Sequence, residues 1–325
     1  MAGQEQVVGP LTEQLKSGTV AHAYLFAGSR GLGKTSVARI FAAGLGVSDR
    51  DLYEIDAASN NSVDDIRALA ENIYTLPFDG NYKLYILDEA HMLSKGAWNA
   101  FLKTLEEPPA HAIFVLATTE LEKVPETVRS RCQVFEFKKP TRAGLVKLIS
   151  SIAKKEEYAL EAGVADLVAL LADGSYRDAL SILEKIFSVT SDKKITRAEA
   201  EKATGAPKSS LVWAFISGLA EGSADKALTA VHQAESQDVD MSLYLALSLS
   251  MARSVLLVRH APELRAELQA ELGEEYAAIE TLAKAADSKL SHKTLLALLD
   301  AASRLRFSPV PALPLELAVL ELCSG

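Results

Sequence analysis

The segment Gly28-Ser29-Arg30-Gly31-Leu32-Gly33-Lys34-Thr35 fits the pattern G-x-x-x-x-G-K-[ST] and lies between a β-rich run ending at Ala27 and an amphipathic helical run. Few local patterns constrain a chain more. The glycines let backbone N–H groups approach phosphates, the helix beyond the loop adds the positive end of its dipole, and a strand is needed to aim both. In such a loop Gly28, Ser29, Arg30, Gly31, Leu32, Gly33 and Ser36 frame the phosphates, Lys34 reaches the β- and γ-phosphates, and Thr35 ligates Mg²⁺. The expected ligands are therefore ATP and Mg²⁺. With 18 glycines in 325 residues, a chance match is on the order of one in a hundred.

Through residue 140, β-rich runs alternate with amphipathic helical patterns, which reads as a parallel sheet with crossover helices. The expected strands are 23–27, 52–56, 83–88, 113–118 and 133–137. Leu84-Tyr85-Ile86-Leu87 is apolar throughout, as in a central strand covered on both faces. It ends in Asp88-Glu89, which places Asp88 on the Mg²⁺ shell and Glu89 where it polarises an attacking water. Asp88-Glu89-Ala90-His91 also spells a helicase signature. Such helicases need a second recombinase-like domain, and the chain beyond residue 140 is helical and too short for one. The next strand ends Leu116-Ala117-Thr118-Thr119, putting a hydroxyl beside Asp88 within reach of the γ-phosphate or the water. Ser62-Val63-Asp64-Asp65 reads as a capping box opening a helix with Val63, Ile66, Leu69 and Ile73 on one face. Another helix carries Ala97, Trp98, Phe101, Leu102 and Leu105 and stops at Pro108-Pro109.

After Lys138-Lys139-Pro140 strand signals cease and the pattern is helical nearly to the end. Three domains are expected: a nucleotide-binding core at 1–139, a helical lid at 140–205 and a second helical domain at 206–325, entered after Gly205-Ala206-Pro207. At 49% hydrophobic and 24% charged residues, with a net charge of −9, disordered and collagen-like classes are excluded. An all-over basic nucleic-acid coat is excluded too, although 123–147 is locally basic. Two cysteines, Cys132 and Cys323, are too few for a four-cysteine zinc site, so no zinc is expected. The longest uncharged apolar run, 241–252, falls short of the roughly 17–25 residues of a membrane span. No signal pattern opens the chain, so a cytoplasmic protein without a membrane partner is expected.

Together these residues are similar to the AAA+ ATPases of the clamp-loader group, and within it to the gamma/tau family of bacterial DNA polymerase III. Carrying the resemblance are His22-Ala23-Tyr24-Leu25-Phe26, the phosphate loop, Glu54-Ile55-Asp56-Ala57-Ala58-Ser59 and Leu87-Asp88-Glu89-Ala90-His91-Met92-Leu93-Ser94. Residues 99–109 (NAFLKTLEEPP), 116–119, Ser130-Arg131-Cys132 and Gly174-Ser175-Tyr176-Arg177-Asp178-Ala179-Leu180 continue it. The match runs from Gly3 to about residue 187, and 311–323 resembles the close of that family's collar domain. The delta-prime subunit and the archaeal small clamp-loader subunit are the nearest alternatives.

The resemblance implies an ATPase motor that loads a sliding clamp onto primer-template DNA, with a collar domain joining delta-type, delta-prime-type and further identical subunits. It makes Arg131 an arginine finger acting in trans on a neighbour's ATP, and Arg177 a second sensor in cis, in the first turn of a helix that Ser175 and Asp178 cap. Thr119, or failing that Thr118, becomes the first sensor. DNA contacts are expected along the phosphates, at the helix N-terminus at Ser62 and at Arg67. Two departures stand out. The family carries an arginine and aromatic stretch before the residue matching Gly3, which helps wall the adenine pocket, and a four-cysteine zinc module where this chain has Gly44-Leu45-Gly46-Val47-Ser48-Asp49-Arg50-Asp51. The sequence ends at Gly325, so the tau-type tether to helicase and polymerase is expected to be missing. The competing classes are an AAA+ scaffold with a weakened ATPase, and a stand-alone AAA+ remodeller.

Overall fold

Five strands, β1 (Ala23–Ala27), β2 (Leu52–Asp56), β3 (Lys83–Asp88), β4 (Ala112–Thr118) and β5 (Gln133–Glu136), form one all-parallel sheet in the order β2-β3-β4-β1-β5. The computed structural model describes residues 3–190, 192–272 and 275–323. Three of the expected strands match to the residue. β4 begins one residue early, at Ala112, and β5 stops at Glu136, one short of expectation, although Phe137 N still donates to Ala27 O at 2.7 Å.

β1 and β4 are buried along their whole length and β3 over its first five residues, so side chains alternate between two apolar layers. Tyr24, Phe26, Leu84, Ile86, Ile113 and Val115 face one layer. There they meet Val7 and Leu11 of α1 (Glu5–Ser17) and Val37, Ala38 and Phe41 of α2 (Lys34–Gly44). Leu25, Tyr85, Leu87, Phe114 and Leu116 face the other. Its helices are α3 (Val63–Ile73), α4 (Lys95–Glu106) and α5 (Glu126–Arg129), through Ile66, Leu69, Phe101, Leu105 and Val128. The Ser62–Asp65 capping box forms as expected, each side chain satisfying the other's backbone N–H.

The chain divides into two compact units: Met1–Pro140 with Gly174–Asp178, and Thr141–Asp173 with Ala179–Gly325. The second holds α6 (Arg142–Lys155), β6 (Ala159–Leu160), α7 (Val164–Leu171), β7 (Lys194–Ile195) and α9 (Arg197–Thr204). Between α7 and β7 runs α8 (Tyr176–Val189), whose first three residues cluster with the first unit. Next come α10 (Ser209–Glu221), α11 (Ala224–Ser236), α12 (Met241–His260), α13 (Arg265–Leu272), α14 (Tyr276–Lys284), α15 (His292–Leu305) and α16 (Leu313–Cys323). Two expectations need correction. Strand does not cease at 140, because β6 and β7 pair in parallel, though each is two residues long. The apolar run at 241–252 is part of a longer helix, and α12, at 20 residues, is long and apolar enough by length and composition to cross a membrane. Tyr244, Leu245, Ala252, Val255 and Val258 of α12 are buried among α10, α11, α15 and α16 in the core of this unit. Arg259 closes the helix by donating to the carbonyls of Leu282, Ala283 and Leu290 at 2.9–3.2 Å.

Phe114 is fully buried, 5.6 Å from the ring of Tyr85 and 5.3 Å from that of Phe101. Phe114→Ala is expected to destabilise the first unit by about 3–5 kcal/mol in denaturant unfolding, and a loss below about 1 kcal/mol would contradict this packing.

Candidate nucleotide-binding site

The phosphate loop leaves the C-terminal end of β1 and enters α2. Gly28, Gly31 and Gly33 have φ of 146°, 78° and 91°, in the region that favours glycine. At Gly28 a Cβ would stand 2.6 Å from the carbonyl oxygen of Phe137, and at Gly31 it would stand 2.0 Å from Ser175 Oγ. Gly28 N donates to Thr118 O at 3.1 Å, fastening the loop to β4. Lys34 is 6% exposed, and its Nζ donates to the carbonyl oxygens of Gly28 and Ser29 at 2.7 and 3.0 Å. Burial pushes the Lys34 ammonium below its ordinary pKa, the Glu89 and Asp88 carboxylates pull the other way, and Arg177 adds to the lowering. A buried cation turned onto neutral carbonyls is an electrostatic fit for phosphate.

The second motif meets the first at the end of β3. Thr35 Oγ1 donates to Asp88 Oδ2 at 2.8 Å, so two hard oxygen donors share one spot, a donor set suited to Mg²⁺. Asp88 Oδ1 accepts from Glu89 N at 3.0 Å, and Glu89 sits in the left-handed region with φ 47°. For a non-glycine residue that conformation is strained, and it turns the chain sharply off the strand end. Thr119 Oγ1 donates to Glu89 Oε2 at 3.1 Å. Of the two threonines considered as first sensor, Thr119 contacts the carboxylate, whereas Thr118 is fully buried and lies 3.2 Å from His91 Nδ1.

A cleft lined by Thr35, Ser36, Arg39, Glu54, Ile55, Asp56, Ile86, Asp88 and Arg177 opens at this edge. Arg177 reaches it because the N–H groups of Tyr176 and Arg177 both donate to Gly31 O, at 3.0 and 3.2 Å. Ser175 Oγ accepts from Asp178 N at 3.2 Å, as the expected cap requires. Arg131 is not part of the cleft lining. Its guanidinium donates to Glu106 Oε1 and Thr127 O, both at 2.7 Å. Ser62 and Arg67 also lie off the cleft, Ser62 capping α3 and Arg67, 70% exposed, pairing with Asp64 at 3.4 Å. Sequence reasoning missed the Arg39–Glu54 ion pair at 2.6 Å on the cleft wall, and it missed His91, which faces Glu89, Thr118 and Glu120 together. The helicase-like spelling and the segment Leu87–Ser94 that carries the resemblance both include His91 without giving it a role.

Gly31→Ala places a Cβ against Ser175 and holds a non-glycine residue at φ 78°. The left-handed backbone alone costs about 1–2 kcal/mol. The variant is expected to melt at lower temperature and to bind nucleotide more weakly, with Ser175→Gly in the same chain restoring part of the loss. Unchanged melting and affinity would refute this contact.

A family model described as DNA polymerase III, delta subunit, matches residues 47–141. The chain is 35% identical over 345 residues to the DNA polymerase III subunit tau of Bacillus subtilis (strain 168), an alignment covering 99% of this chain and 61% of that protein. It is 34% identical over 301 residues to subunit tau of Escherichia coli (strain K12), covering 86% and 46% respectively. With the gamma/tau subunit of Mycoplasma pneumoniae it shares 40% over 220 residues, 62% of this chain and 32% of that one. The chain thus spans less than two thirds of the length of these curated relatives. Among solved structures, the Thermotoga maritima RuvB Holliday junction branch migration motor superposes with a TM-score of 0.53 at 20% identity, covering 85% of this chain and 84% of that one. The first unit and the helices after it share the fold of that motor, and the chain is similar along 99% of its length to subunit tau of Bacillus subtilis.

Proposed function

We propose that this chain is the ATP-hydrolysing motor subunit of a DNA polymerase III clamp loader, working in the cytoplasm to place a sliding clamp on primer-template DNA. The observation that carries the reading is the bond between Thr35 and Asp88, with Lys34 and Glu89 beside it, in a chain similar to tau throughout. A scaffold has no physical need for this set. The backbone of Gly28–Thr35 and the Lys34 ammonium hold the phosphates, with Ser36 at the helix start and Arg177 reaching the γ-phosphate from the side. Thr35 and Asp88 would hold Mg²⁺, which spreads the charge that develops on the transferred phosphoryl group. Glu89 orients the attacking water and draws its proton, and Thr119 fixes that carboxylate.

Arg131 serves a neighbouring subunit's ATP in this reading. Its present partner suits the task, because an ion pair with side chains 35% and 51% exposed is worth only ~0–1 kcal/mol and yields readily to a stronger anion. Residues 140–205 would act as the lid and 206–325 as the collar that joins delta-type and delta-prime-type subunits and further copies. In support, Gly205 ends α9 in the left-handed conformation, and the large core of the second unit draws on residues from Leu211 to Val319 alone. Ser62 and Arg67 are placed at the DNA backbone, and no zinc is required. The family-model match to a delta subunit keeps a delta-prime-like scaffold as the second reading.

The deciding experiment is steady-state ATP turnover with primed DNA, sliding clamp and the delta-type subunits. Turnover is expected to rise with the full set, to vanish in Lys34→Ala, and to fall roughly 10³-fold or more in Arg131→Ala. Turnover that stays at the Lys34→Ala background in the complete mixture would establish the scaffold instead.

A further inference from the structure

His91 sits in the 3₁₀ turn Ala90–Met92 after β3, with a side chain 7% exposed. Its Nδ1 lies 3.2 Å from Thr118 Oγ1 and 3.4 Å from Glu89 Oε2, and its Nε2 lies 3.3 Å from Glu120 Oε1. Thr118 Oγ1 already accepts from Glu120 N at 3.1 Å. Thr118 Oγ1 keeps a second lone pair, and with the ring proton on Nδ1 that N–H is shared between Thr118 Oγ1 and Glu89 Oε2. His91 is absent from the cleft lining, so its reach toward the nucleotide runs through other side chains. Two contacts fall on one oxygen of Glu89: Thr119 Oγ1 donates to Oε2 at 3.1 Å, and His91 stands against the same atom.

We propose that His91 is a positioning residue for hydrolysis: seated against Thr118 at the end of β4, it donates its Nδ1–H to the Glu89 carboxylate, so that Oε2 is pinned and Oε1 turned to the attacking water. The imidazole thereby makes one rigid body of the turns after β3 and β4. This rests on the ATPase reading of the site. Glu89 begins in a strained left-handed backbone with a side chain about one third exposed, so without a lateral contact its carboxylate would sample several rotamers. Misplacing a base by about an ångström costs on the order of a hundredfold in rate while leaving phosphate binding alone.

The test compares wild type, His91→Gln, His91→Leu and Lys34→Ala in the complete clamp-loader mixture, with nucleotide affinity and melting temperature measured on each chain. In His91→Leu, kcat is expected to fall ten- to a hundredfold or so, with KM and nucleotide affinity within about twofold of wild type. His91→Gln, which keeps a donor and an acceptor, should recover a large share of kcat. Unchanged kcat in a folded His91→Leu chain, equal loss in the Gln and Leu variants, or a parallel loss of kcat and affinity would each overturn the proposal. Should His91→Leu fail to fold, Thr118→Val, which removes the hydroxyl beside Nδ1, takes its place, and a kcat equal to wild type there overturns it. Wild-type turnover no higher than Lys34→Ala would instead refute the ATPase reading itself.

Discussion

Three strands buried on both faces set the terms for everything else in the first unit. β1, β3 and β4 are apolar at nearly every buried position, Lys83 and Thr118 excepted, so each must be covered above and below. Parallel neighbours can be joined only by crossovers, which carry the covering helices and return the chain to the same starting edge. All five strands therefore end along one edge. The phosphate loop, Asp88-Glu89 and Thr118-Thr119 are brought together by that rule before any polar contact forms. β4 lies between β1 and β3, so its last residues fall between the glycine-rich loop and the Asp88-Glu89 carboxylates.

Polar contacts then refine what topology delivers, and they differ in strength with burial. Lys34 is taken out of water with carbonyls as its hydrogen-bond partners, while the charges of Glu89 and Asp88 act on it without a direct bond. Asp88 is tied to both motifs, through Thr35 Oγ1 on one oxygen and Glu89 N on the other. Arg131, half-buried, and Arg67, exposed, lie nearer to water and pair with Glu106 and Asp64, contacts worth little by themselves. The gradient runs from a tightly specified interior of the site to an adjustable rim.

Much of this was legible in the sequence because it rests on period and local chemistry. A short apolar run bounded by turn residues, Leu84–Leu87, reads as a strand covered on both faces, and a glycine-rich loop before Lys34-Thr35 has few other uses. β6 and β7 were not legible: two residues give no periodicity, and their pairing joins 159 with 194. The full length of α12 was hidden by Arg253 and Arg259, which end the uncharged run although the helix continues, with Arg259 spending its charge on backbone carbonyls. His91 was readable only as a letter within longer signatures, without a role of its own. Its meaning depends on the register that sets Leu87 opposite Leu116 and brings Glu89 to Thr119, and no local pattern encodes that.

The phosphate loop and the segment 174–178 are likewise a single device. Gly31 offers its carbonyl to the N–H groups of both Tyr176 and Arg177, while Ser175 Oγ occupies the space a side chain at 31 would need. The glycine thus answers two demands at once, a left-handed backbone for the loop and room for the segment that carries Arg177. Any shift of the loop would move the carbonyl on which Arg177 hangs. A loop residue chosen for its backbone freedom also sets where a distant arginine meets the cleft, so Arg177 and Lys34 respond to the same displacement rather than to two.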